Sequence, residues 1–210
     1  MFPSLQVLWS FGLVVALLTI TPGVDTALVL RSAAVAGKAR AWGAILGIGC
    51  GTLTWGALTA VGVSALLAAS TIAYTVVRLA GAAYLVYLGG RLLWSAIRGH
   101  AGPATVTTGV TDTFFAGWRQ GLLTNLLNPK VGAFYLAILP QFIPVDAPHL
   151  TWGLALAGVH VLEGVVWLGL VLVLARSLRG WLERPTVVRW IDGVVGTVIA
   201  AFGIRLALVD

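Results

Sequence analysis

A chain of 210 residues that is 59% hydrophobic and 10% charged, with a mean hydropathy of +0.98, has too little polar surface to cover a water-soluble globule, and reads as an all-α integral membrane protein. The formal net charge of +6 does not imply a nucleic-acid partner, because the lysines and arginines are scattered between apolar segments instead of clustered on one face. One cysteine, Cys50, excludes an intrachain disulfide or a thiolate metal cluster, and no pattern calls for a cofactor.

A span needs roughly 20 mostly apolar residues, and six segments qualify: 5–30, 41–68, 72–97, 115–143, 150–174 and 187–209. No lysine or arginine precedes Arg31, so the first segment reads as a retained span and not as a signal peptide. The whole chain, 1–210, is then one transmembrane domain with membrane lipid around it. Residues 98–113, rich in Gly, Thr and Pro, connect a first three-span half, 1–97, to a second, 114–210. Cations collect in alternate connections: Arg31, Lys38 and Arg40; Arg91 and Arg98; Arg176, Arg179 and Arg184. Since Lys and Arg are retained in the cytoplasm, both termini are expected outside. The nine tryptophans fall largely near the ends of the spans, as interfacial belts require.

Two halves of three spans have opposite orientation, the arrangement of inverted repeats. Both open with an interrupted span: "LLTITPGVDTALVL" breaks at Pro22 and Gly23, and "LLTNLLNPKVGAFYL" at Asn128 and Pro129. A Trp-Gly pair starts the span after each, Trp42-Gly43 and Trp152-Gly153. Proline removes a backbone donor, and the groups it frees persist in a membrane only against protein or a polar cavity. Paired breaks therefore point to a binding site near the midplane.

Charged residues at those breaks suggest the ligand. Lys130 lies roughly 22 Å along the fourth span, too deep to snorkel easily, so a partner or a ligand should accompany it. Asp25 stands in the first turn after the first break, where it offsets a positive helix end or holds a cation. Lys130 and the half-helix after Pro129 favour a carboxylate, Asp25 favours an ammonium group, and a free amino acid carries both. Without substrate the two side chains would satisfy each other. Asn125 and Asn128 either cap freed backbone groups or touch ligand.

Glu163, in "GVHVLEGVVW" with His160 before it and Trp167 after it, is mid-span. Hydrocarbon favours its neutral acid, which makes it, with Asp25, a candidate for proton coupling; pairing with Arg78 or His160 is the alternative. Arg78 and Asp192 read as interfacial anchors or an ion pair. The His-x-x-Glu spacing is half of a metal site without a second half, so no metal is expected. Gly43, Gly47 and Gly51 repeat every fourth residue and, with Gly81 in "LAGAAYLVYLGG", form faces for close helix packing. Nothing in the chain resembles a nucleophile with its base, so it is not read as an enzyme.

The residues that carry these features resemble the LysE/RhtB family of bacterial amino-acid exporters, of the homoserine, threonine and leucine efflux type. The matching stretches are "TPGVDTALVLRSAAVAGKARAWGAILGIGCG" (21–51), "RLAGAAYLVYLGGRLL" (78–93) and "GWRQGLLTNLLNPKVGAFYLAILPQF" (117–142), with the Asn-Pro-Lys element the most specific. The resemblance implies a six-span exporter of the inner membrane, driven by protons, with Pro22, Gly23, Asp25, Asn128, Pro129 and Lys130 at its transport site. It also admits a homodimer. Val24 departs from a frequent proline, and Trp55 stands where a smaller or polar residue is common, which would alter the pocket; spans five and six match by hydropathy alone. The expected function is secondary active export of small neutral amino acids. Efflux of another small metabolite or cation, or a membrane scaffold without transport, are the alternatives.

Overall fold

The computed structural model describes residues 2–21, 23–35, 37–69, 71–98, 113–174 and 184–208. Helices make up almost all of the described residues, and no strand occurs among them. The order is α1 (Leu5–Ile20), α2 (Val24–Val35), α3 (Lys38–Ala69), α4 (Thr71–Arg98), α5 (Phe114–Leu126), α6 (Pro129–Ala137), a 3-10 turn (Leu139–Phe142), α7 (His149–Val173) and α8 (Pro185–Leu208).

Local chemistry sets these boundaries. Ser4 starts α1 by accepting the Val7 N–H, and Thr113 starts α5 by accepting that of Ala116. Gly37 has φ 91°, a left-handed conformation that glycine adopts without strain, and it lets α2 turn directly into α3. With no proline inside, α3 runs for 32 residues, about 48 Å at 1.5 Å per residue.

Two helices, Lys38–Gly62 and His149–Val173, are long and apolar enough to cross a membrane. Two further pairs qualify only as bent units: Leu5–Ile20 with Val24–Ala33, bent by 58°, and Phe114–Leu126 with Lys130–Phe142, bent by 56°. Length and apolarity thus support two to four spans among the described residues. Helices α4 and α8 occupy the positions expected for spans three and six, and they pack on each other, Gly89 against the backbone of Gly196 and Ala200. Arg189 ties their ends by donating to the carbonyls of Ala96 and Ile97. Most of the expected 98–113 connection, with Arg176 and Arg179, lies outside the described residues.

Where α3 meets α5, backbones touch. A side chain at Gly43 or Gly47 would collide with the carbonyl of Phe114 or Trp118, and one at Gly117 or Gly121 with that of Arg40 or Ala44. The glycines therefore face glycines, and Arg40 joins the same pair of helices by donating to Gln120 at 2.7 Å. Gly81 abuts Ala137 of α6. Two apolar clusters fill the interior: a larger one around Phe11, Val15, Phe134, Tyr135 and Leu156, and a smaller one around Leu28, Val29, Ile45, Ile48 and Leu168. The two helix breaks lie between them.

Candidate functional site

Each break frees a carbonyl, and each freed carbonyl is taken by a side chain from a distant part of the chain. In a continuous helix Leu18 would bond to the N–H of residue 22, which a proline lacks. Its carbonyl instead accepts from Lys130 Nζ at 3.4 Å, as does that of Thr21 at 3.4 Å. Asn125 stands in the same relation to Pro129. Its carbonyl accepts from the indole Nε1 of Trp55 at 3.4 Å and from the Asn128 N–H at 3.1 Å.

The breaks also exchange side-chain contacts. Asp25 Oδ2 accepts from Asn125 Nδ2 at 3.1 Å and Asp25 Oδ1 from Asn128 Nδ2 at 3.4 Å. Of the roles expected for the asparagines, Asn128 takes the capping one, its Oδ1 accepting the Lys130 N–H at 3.1 Å at the start of α6. Where Asp25 and Lys130 were expected to satisfy each other, the Asp25 carboxylate holds two amides and the Lys130 ammonium two carbonyls. Small residues make this fit. A Cβ at Gly23 would stand 3.4 Å from Lys130 Nζ, and one at Gly51 would stand 2.7 Å from Asn125 Oδ1. Pro22 lies outside the described residues, and Pro129 is described as the first residue of α6.

Gly23, Asp25, Asn125, Asn128 and Lys130 line one cavity of about 50 Å³, together with Thr52 of α3 and His160 of α7. At roughly 10–15 Å³ per water-sized group, it has room for a few such groups. Ile45, Ile48, Val165 and Leu168 complete its wall, and the charged side chains in it, Asp25 and Lys130, belong to the two breaks.

Other residues take places that their sequence positions did not indicate. Trp55 is not among the residues lining the cavity; its ring lies on α6, where a Cβ at Gly132 would meet it at 2.9 Å. Glu163 also lies off the cavity, facing α1, with Oε1 3.1 Å from where a Cβ at Gly12 would stand. Its Oε2 and the indole Nε1 of Trp167 are buried without a hydrogen-bond partner. His160 does not pair with Glu163: its Nδ1 lies 3.1 Å from the Tyr135 hydroxyl, and the two rings stack at 5.8 Å. The side chains of Arg78 and Asp192 are outside the described residues. No group of three His, Cys, Asp or Glu that could hold a metal occurs among the described residues. The contacts of Trp55, Tyr135 and His160 were not legible in the sequence because each is made across helices; the one local signal was a histidine beside Glu163 in a mostly apolar span.

The family model of the LysE type translocators matches residues 16–209. The chain belongs to this family. It is similar to the threonine efflux protein of Escherichia coli (strain K12), 26% identical over 199 residues and 93% of each chain. It is also similar to the membrane protein YrhP of Bacillus subtilis (strain 168), 28% identical over 91 residues and 43% of each chain. A third relative is the homoserine/homoserine lactone efflux protein of Salmonella typhimurium, 28% identical over 90 residues, covering 43% of this chain and 44% of that protein. No solved structure matches at a comparable level. As a LysE translocator the chain is a membrane transporter, and its characterised relatives are efflux proteins, not enzymes.

Proposed function

We propose that this LysE translocator exports small, neutral amino acids from the cytoplasm across the bacterial inner membrane in exchange for protons. The carrying observation is that Asp25 and Lys130, opposite charges on separate helix breaks, share one small cavity. A zwitterion answers both. Its carboxylate replaces the Leu18 and Thr21 carbonyls on Lys130 and sits at the positive end of α6; its ammonium group meets Asp25 while the amides of Asn125 and Asn128 keep that carboxylate oriented. With few carboxylates at hand for a second cation, a neutral side chain suits the site better than a basic one.

Six spans with both termini outside complete the reading, α4 and α8 supplying the two spans beyond the four that length and apolarity support. The halves are then inverted repeats, each contributing one break. Protons are carried by Asp25, in the cavity, or by Glu163, on the seam between α1 and α7. Similarity to threonine and homoserine efflux proteins supports small substrates.

The test is efflux from preloaded proteoliposomes with a panel of labelled amino acids and an imposed pH gradient. Gradient-dependent efflux of small neutral amino acids is expected, falling to the level of empty liposomes in Lys130→Ala. Full transport by that variant overturns the assignment of Lys130. No movement of any amino acid by well-folded wild type overturns the function.

A further inference from the structure

Among the described residues three glycines line the cavity, Gly23, Gly49 and Gly164, and two of them make room for the protein's own side chains. A Cβ at Gly23 would stand 3.4 Å from Lys130 Nζ, and one at Gly49 would stand 3.2 Å from Val161 Cγ1. Gly164 on α7 is different, because a Cβ there would meet nothing within 4 Å. Close packing therefore does not account for a glycine here, although glycine is the poorest helix former after proline. The open space belongs to the cavity. Helix α7 contributes His160, Val161, Gly164, Val165 and Leu168 to the wall. At 3.6 residues per turn these positions span about 140° of the helix, with Gly164 inside that arc, so a side chain at this position would project into the cavity. Gly158 of the same helix also has nothing within 4 Å, but it does not line the cavity.

We infer that Gly164 is the specificity-determining position for side-chain size: the substrate's side chain lies over Gly164, in space that any other residue would fill. This rests on the proposed export of amino acids and adds where the side chain goes and what limits it. A ligand held by its ammonium group on Asp25 and its carboxylate on Lys130 directs its side chain away from both, because the three groups diverge from one tetrahedral carbon. Thr26, Thr52, Asn125 and His160 each bring a side chain of their own to the wall; Gly164 brings none. Three of its neighbours on that face of α7, Val161, Val165 and Leu168, are apolar, so volume is what this part of the wall sorts. With about 50 Å³ in all, and roughly 10–15 Å³ taken by a group the size of water, one added methyl group removes a sizeable part of the room.

Efflux of a size series, glycine, alanine, valine and leucine, from preloaded proteoliposomes reads the limit directly. Gly164→Ala should lower kcat/KM for the largest amino acid that the wild type exports by at least about tenfold relative to the smallest, the weight of one methylene in an apolar pocket. Gly164→Val should extend the loss to the next smaller member of the series, while Gly158→Ala leaves the whole profile unchanged. A loss in Gly164→Ala that is equal for every amino acid marks a structural role and overturns the inference, as does an unchanged profile; either result leaves amino-acid export standing. Should Gly164→Val not fold, Gly164→Ala carries the test alone, since its added carbon meets no atom of the protein within 4 Å. Efflux of no amino acid by well-folded wild type removes the proposed function and this inference together.

Discussion

Two prolines, each four residues after a carbonyl that it cannot serve, create the polar interior of this protein. The carbonyl of Leu18 is met by Lys130 and that of Asn125 by Trp55. These contacts should be measurable. Trp55→Phe keeps the ring on Gly132 and removes the donor, so it should lower stability by about 1–3 kcal/mol, the cost of a buried carbonyl left with a poorer partner. Thermal unfolding in detergent would show it; an unchanged midpoint would mean that the Asn128 N–H suffices. Asn128→Ala loses both the cap on α6 and an amide on Asp25, and about 0.5–2 kcal/mol is expected from the cap alone. Asp25→Asn keeps an oxygen for the asparagine amides and loses the charge. Its folding should survive while amino-acid efflux falls by more than tenfold, and retained efflux would rule out Asp25 as the ammonium partner.

At the scale of elements, α3 and α5 touch through backbone, and this contact positions Asn125 beside Asp25. Gly121→Ala puts a methyl group against the carbonyl of Ala44 and must part the helices. A loss of about 1–3 kcal/mol is expected from overpacking. Gly158→Ala in α7 is the control, since nothing stands within 4 Å of its added carbon; it should be neutral or stabilise by up to about 1 kcal/mol. Equal effects from the two substitutions would mean that the α3–α5 contact carries no special constraint. The glycine spacing was legible because Gly43 and Gly47 recur every fourth residue in one helix. Their partners, Gly117 and Gly121, show the same spacing, but only packing pairs the two faces.

For the whole molecule, the polar site lies between two apolar clusters of unequal size, the larger built on α1, α6 and α7 and the smaller on α2, α3 and α7. The seam between α1 and α7, beside the larger cluster, holds Glu163 against Gly12. A carboxyl there is costly when charged in hydrocarbon, so its proton should be coupled to movement of that seam. Glu163→Gln is therefore expected to abolish pH-gradient-driven accumulation while amino-acid exchange without a gradient continues. Continued gradient-driven transport would leave Asp25 as the proton carrier.

Apolar composition and the proline interruptions by themselves determined that this chain is helical, belongs in a membrane and carries breaks flanked by Asp25 and Lys130. These follow from single-residue chemistry: a lipid-embedded backbone must bond within its own segment, and a proline cannot. Tertiary structure decided who answers the breaks. Asp25 meets Asn125 and Asn128 about a hundred positions away in sequence, Trp55 turns from the cavity to a carbonyl, and His160 chooses Tyr135 over the nearer Glu163. No periodicity encodes such pairs, because they depend on where helices bend by 58° and 56° and on how closely glycine lets them approach.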